Sequence, residues 1–151
     1  MTKSYFEFEQ DFVANLRCIP MTVRYKLDTC GINLKLSHWY EFSQENRQAL
    51  VDKPCSTPEE IEAYREWLKG LVLEYTNAPA KDLPVEENPP WMDASQIPET
   101  VLDKAKEEKI NLTLEQWRSI SPIERFVLIK LSRPSHENKN FLPAIKEFNL
   151  G

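Results

Sequence analysis

IPMTVRYKLDTCGINLKLSHWYEFSQENRQALV (residues 19–51) and IPETVLDKAKEEKINLTLEQWRSISPIERFVLI (residues 97–129) are two versions of one stretch. They align without a gap at an offset of 78, with 13 of 33 positions identical. The shared residues include Ile19/Ile97, Pro20/Pro98, Lys26/Lys104, Trp39/Trp117, Ser43/Ser121, Arg47/Arg125 and Leu50/Leu128. This agreement predicts an internal duplication. Its period exceeds the roughly 20–50 residues of stacked repeats, so two structural halves facing each other are expected, not an open array.

Outward from the repeat, Pro20 suits the first turn of a helix and Gly31 its C-terminal cap, with Val23 and Leu27 on one face. Ile32, Leu34 and Leu36 alternate, as an extended connector burying every second residue would. Ser37 opens a short turn carrying Trp39 and Phe42, and Ser43 caps a helix from Gln44 to Val51. Thr57-Pro58-Glu59-Glu60 is a strong helix start, followed by an apolar face of Ile61, Tyr64, Leu68, Leu71, Val72 and Tyr75. Residues 76–96 contain Pro79, Pro84, Pro89 and Pro90, so no regular element is expected there and Trp91-Met92 is the one apolar anchor. The second copy repeats the grammar: a helix from Pro98 using Val101, Leu102 and Ala105, a connector Ile110/Leu112/Leu114, a turn with Trp117 and Ile120, and a Ser121-capped helix to Leu131. A last helix carries Phe141, Leu142, Ile145 and Phe148, with Ser135 or Asn140 as its cap. The fold class expected is all-α: a bundle of about six to eight helices with pseudo-two-fold symmetry. One domain would span 1–151, with halves at about 19–75 and 97–148 and a proline-rich linker at 76–96.

Composition narrows the function. At 151 residues, 41% hydrophobic and 28% charged, the chain suits an ordinary globular protein. A net charge of −5 argues against nucleic acid as a partner, since phosphate binding needs a basic face. The helix Ser121–Leu131 offers only Arg125 and Lys130, too little for a recognition helix. No apolar run reaches the about 18 residues of a membrane span. The opening MTKSYFEFEQ lacks the apolar core of a secretory signal, so a cytoplasmic location is expected.

Residues shared by both copies are best explained by the shared fold: Trp39 and Trp117 as core anchors, Ser43 and Ser121 as caps, Arg47 and Arg125 holding a carboxylate or carbonyl. Local function should lie where the copies differ. Cys18, Cys30, His38 and Cys55 belong to the first half alone and have the right atoms for a tetrahedral zinc site, but no CxxC pair occurs. Small buried thiols are the simpler reading, with no metal and no cofactor expected. His136, Glu137 and Lys139 could do acid–base chemistry, but they sit in a polar loop between a proline stop and an apolar helix. Neither GxGxxG, a P-loop, HExxH nor a nucleophile elbow is present, so an enzyme is not expected. What remains is protein contact. Phe6, Phe8, Trp91 and Met92 lie outside the repeats, and His136 and Asn138 lie in the loop found only in the second half; these are the candidate partner residues. Alternatively the arm and linker pack back on their own domain.

FEFEQDFVANLRCIPMTVRYKLDTCGINLKLSHW, VDKPCSTPEEIEAYREWL and ERFVLIKLSRPSHENKNFLPAIKEF together resemble the nitrate reductase-associated protein family, found mostly in cyanobacteria. The resemblance implies a gene setting beside nitrate reductase and molybdopterin synthesis. It further implies a non-catalytic maturation factor that binds apo nitrate reductase or assists loading of its molybdenum cofactor. A stable accessory subunit, or a metal- or cofactor-handling protein, is the alternative. The family carries no agreed catalytic residues to transfer.

Overall fold

The computed structural model describes residues 6–9, 19–85, 88–133 and 139–150. Its contacts divide the chain into two compact units, Met1–Val85 and Glu86–Gly151.

In the first unit, Pro20 holds φ −65° and launches helix α1 (Met21–Cys30). Gly31 ends it in the left-handed conformation (φ 78°), its N–H donating to the Leu27 carbonyl. Glycine is required there on two counts. A Cβ would strain the backbone and would stand 2.6 Å from Val85 Cγ2 and 3.0 Å from the Leu83 carbonyl. Strand β1 (Ile32–Asn33) follows, then α2 (Leu36–Glu41) and α3 (Gln44–Asp52). Ser43 caps α3 by accepting from the Asn46 N–H at 3.1 Å. Thr57 and Glu60 close a reciprocal capping box on α4 (Pro58–Thr76). Helix α4 buries Tyr64, Leu68, Leu71 and Val72 and packs against α1 and α2. The core joins these residues to Val23, Leu27, Ile32, Trp39 and Leu50, each large apolar side chain contributing about 1.5–3 kcal/mol on burial.

The second unit holds a 3-10 turn (Pro90–Met92), α5 (Glu99–Glu107), α6 (Leu114–Ser119), α7 (Pro122–Ser132) and α8 (Phe141–Glu147). Helix α7 is its centre. Arg125 to Ile129, Leu131 and Ser132 are all buried, and α7 packs against the 3-10 turn, α5 and α8. Ser121 and Glu124 cap it with a second reciprocal box.

The described residues contain eight α-helices and one two-stranded sheet, so the protein is mostly helical. The sheet corrects the expectation of an irregular linker. Lys81–Asp82 forms β2, antiparallel to β1, with Ile32 opposite Asp82 and Asn33 opposite Lys81. Arg65 holds the pair in place: its guanidinium donates to the Cys30 and Gly31 carbonyls and to Asp82 at 2.6 Å. Three further expectations change. Leu36 and Leu114 are exposed, at 47% and 38%, because each opens a helix and the strand-like alternation ends before it. Leu102 is 43% exposed and Lys104 is buried in its place, because the helical stripe through Val101 and Ala105 runs past position 104. Asn140 occupies the cap position of α8 in a helical conformation and makes no side-chain cap bond. Ser135 lies outside the described residues.

Candidate functional site

The segment from Asn88 to Pro98 is irregular apart from its one 3-10 turn, yet nearly every turn of it is tied down. Pro89 and Pro90 fix φ at the turn entrance. The Met92 N–H donates to the Pro89 carbonyl at 3.0 Å and the Asp93 N–H to the Pro90 carbonyl at 3.2 Å. Asp93 Oδ1 then accepts from the Ser95 N–H at 2.8 Å and from the Ser95 hydroxyl. These two bonds, the hydroxyl first, hold the Asp93 carboxyl below its ordinary range.

Two buried residues of the repeated stretch complete the attachment. Trp117 donates its indole N–H to the Asp93 carbonyl at 2.9 Å. Arg125 donates Nη1 to the Trp91 carbonyl at 3.1 Å, while its Nε holds the Trp117 carbonyl at 3.0 Å and Nη2 the Arg118 carbonyl at 3.3 Å. The Trp91 ring meets Phe126 edge-on, centroids 5.1 Å apart at 88°. Trp91 thus turns toward its own unit and is half-buried, whereas Met92 faces solvent at 57% exposure. Beside Met92 lies an open groove of about 690 Å³ lined by Pro89, Pro90, Asp93, Gln96 and Pro98.

The other sequence candidates are dispersed. Phe6 and Phe8 stack at 5.8 Å around a 3-10 turn (Glu7–Glu9) in the first unit, both half-buried. Their neighbour Glu9, which the sequence did not single out, is 1% exposed. Its carboxylate accepts from the Phe6 N–H and from the Met21 N–H at the start of α1, where the helix dipole favours a negative charge. Cys30 and Cys55 are buried free thiols, placed beside the Leu27 and Lys26 carbonyls. Burial pushes Cys30 up to about 11 and Cys55 up to about 12, so both stay protonated at neutral pH, the form that neither binds metal nor attacks electrophiles. His38 sits on the first turn of α2, where its Nδ1 faces the Lys35 N–H at 3.4 Å. Burial and then Lys35 lower the His38 pKa. Among the described residues no three His, Cys, Asp or Glu side chains are grouped to hold a metal ion. Cys18, His136 and Asn138 lie outside the described residues. No helix among the described residues is long and apolar enough to cross a membrane.

Sequence reasoning named Trp91 and Met92 but not what holds them. The signal was present in part: Arg125 was expected to hold a carboxylate or a carbonyl, and it grips three carbonyls. Nothing local in the sequence pairs it with a residue 34 positions upstream.

A model of the family described as conserved nitrate reductase-associated protein matches residues 5–148. Comparison with curated proteins and with solved structures returns no match.

Proposed function

Since the chain belongs to the conserved nitrate reductase-associated family, we propose that it is a maturation factor for assimilatory nitrate reductase, acting by protein contact on the apo-enzyme while the molybdenum cofactor is loaded. The observation that carries this reading is the family match over nearly the whole chain. The site supports it. A segment without regular structure is locked by Trp117 and Arg125, and it presents an exposed methionine above a groove. Pre-ordering of this kind lowers the entropy cost of binding a partner. The residues play no part in catalysis under this reading; their work is to recognise the reductase.

A loading factor must bind the apo form more tightly than the holo form, because equal affinity shifts no equilibrium. Tagged nitrate reductase is isolated from cells with and without molybdenum-cofactor synthesis, and the amount of this protein captured is measured. Capture mainly from cofactor-deficient cells is expected. Equal stoichiometric capture from both would replace the proposal with that of a stable accessory subunit. Capture from neither would overturn both readings.

A further inference from the structure

Sulfur is sheltered in this chain at every described position but one. The sulfur side chains among the described residues are Met21, Cys30, Cys55 and Met92. Three are shut away, Met21 at 4%, Cys30 at 3% and Cys55 at 7% exposure, and burial also keeps both thiols protonated. A thiol must ionise to become a good nucleophile, so Cys30 and Cys55 are sheltered twice over. Met92 stands at 57% exposure. A thioether has no proton to lose, so its reactivity toward an oxidant follows access alone. This exposed sulfur sits beside the Pro89/Pro90/Pro98 groove, on the segment that the functional reading gives to the partner. The bonds that fix the segment run to its main chain: the Met92 N–H donates to the Pro89 carbonyl, Trp117 to the Asp93 carbonyl and Arg125 to the Trp91 carbonyl. Chemistry at the Met92 sulfur leaves those bonds in place.

We propose that Met92 is a reversible oxidation site, at which a hydroperoxide converts the thioether to a sulfoxide and so weakens the contact with nitrate reductase. The assignment rests on the functional reading above and adds a means of regulating it. In the step, a sulfur lone pair attacks a peroxide oxygen. The S–O bond forms as the O–O bond breaks, the sulfur gives up two electrons, and the hydroperoxide leaves as water or an alcohol after proton transfer. A flexible apolar side chain becomes a polar one that carries a strong hydrogen-bond acceptor. Seating that oxygen against an apolar partner surface strips it of water without supplying a donor, so affinity falls. The fold is spared, because its hold on the segment is through main-chain carbonyls. Reduction by a methionine sulfoxide reductase restores the thioether, and exposure at position 92 gives that enzyme access.

The test treats the full chain with hydrogen peroxide and follows it by peptide mass mapping, by a thermal melt and by titration of purified apo nitrate reductase. Met92→Leu keeps an apolar side chain with no sulfur to oxidise. Met92→Gln places a permanent polar group at the same position. The expected result is a gain of one oxygen at Met92 ahead of Met21, Cys30 and Cys55, with the melt unchanged. Affinity should fall about tenfold on treatment and return after incubation with methionine sulfoxide reductase. Met92→Gln should bind as weakly as the oxidised chain, and Met92→Leu should bind as the untreated chain does, before and after peroxide. Met1 and Cys18 lie outside the described residues, and the Met92→Leu arm separates their oxidation from that of Met92. Oxidation of Met21, Cys30 or Cys55 before Met92 would overturn the assignment, as would unchanged affinity once Met92 is oxidised or an equal loss in Met92→Leu. Each of these leaves the functional reading standing. An untreated chain that does not bind the apo-enzyme would overturn the functional reading and the regulation built on it.

Discussion

Arg47 in the first unit and Arg125 in the second make the same two bonds. Each donates Nε to the carbonyl of a fully buried tryptophan eight residues earlier, at 2.9 Å and 3.0 Å, and Nη2 to the next carbonyl. Each follows a serine cap. They differ in their surroundings. Arg47 is half-buried, whereas Arg125 is 7% exposed and spends a further N–H on the Trp91 carbonyl. Arg125, in one unit only, also fixes the segment that carries Met92. A residue that both stretches share thus belongs to the frame in each unit, and in the second it also holds a segment that the first does not have.

Truncation should expose this asymmetry as the largest effect. Arg125→Ala leaves three carbonyls without a charged donor in a buried site and is expected to cost about 3 kcal/mol. Arg47→Ala, with solvent at hand to replace it, should cost about 1 kcal/mol. Urea unfolding of the two variants measures the difference, and equal losses would break the comparison. Lysine at position 125 cannot reproduce the planar fork, so Arg125→Lys should recover little.

The ends of the first helix in each unit form a second contrast. Gly31 and its repeat counterpart Lys109 both have positive φ, 78° and 61°. At 109 the chain tolerates the strain because the turn is bonded on both sides, Lys109 N–H to the Lys106 carbonyl and Ile110 N–H to the Ala105 carbonyl. At 31 the Leu83 carbonyl and Val85 fill the space a side chain would take. Gly31→Ala is expected to destabilise by about 2 kcal/mol, and Lys109→Gly to stabilise by about 0.5–1 kcal/mol. A neutral Gly31→Ala in the same unfolding assay would show that β2 yields easily, and the close approach would lose its significance.

How far the sequence disclosed all this depends on the range of each interaction. Thr57/Glu60, Ser43, Ser121 and Gly31 mark helix ends through bonds spanning three or four residues, and each was legible. The buried tryptophans were legible from the repeat, and so was a polar grip by the arginines, though not whether a carboxylate or a carbonyl would take it. Strand β2 was not, because Lys81 and Asp82 are both exposed and alternate nothing; their pairing is decided by Arg65, across 17 residues. In the site, Trp91 and Met92 could be named as an apolar anchor. That one turns in and the other out follows from Phe126, Trp117 and Arg125, and local sequence carries no period in which to read it.

Thiol burial separates the units in their response to pH, since the second holds no cysteine. Cys30 and Cys55, with an ordinary value of 9.0, titrate in the folded chain at about 11 and about 12. A raised folded pKa stabilises below the unfolded pKa and the gain is lost as pH rises, because the unfolded chain ionises first. Stability should therefore hold to about pH 9 and fall above it. Burial also raises the Tyr64 phenol, which donates to the Leu50 carbonyl at 2.8 Å, and this steepens the fall at the upper end. Unfolding midpoints between pH 8 and 10.5 measure the slope. Cys30→Ala with Cys55→Ala should lower the midpoint throughout and flatten the slope; an unchanged slope would remove the thiols from the explanation.

The smallest effect concerns the lysine both units share. Lys26 Nζ donates to the Val51 and Lys53 carbonyls at the end of α3 and lies 5.8 Å from the Tyr64 ring centroid. Its counterpart Lys104 turns to its own helix, 3.2 Å from Glu108 and 3.7 Å from Glu107. Position 108 is where the first unit has Cys30, so each lysine has the partner its unit provides four residues on or finds one elsewhere. Lys26→Met should cost about 1–2 kcal/mol, because the α3 carbonyls lose a charged donor at a helix end whose dipole favours one. Glu108→Ala should cost only about 0.3–0.5 kcal/mol: Glu108 is partly solvated, Glu107 remains within reach, and lysine before glutamate is the weaker order along a helix. That small loss should also vanish in high salt, whereas the Lys26 loss should persist. A salt-insensitive loss at Glu108 would mean that Lys104 is held as Lys26 is, and the two units would then differ less than their bonds suggest.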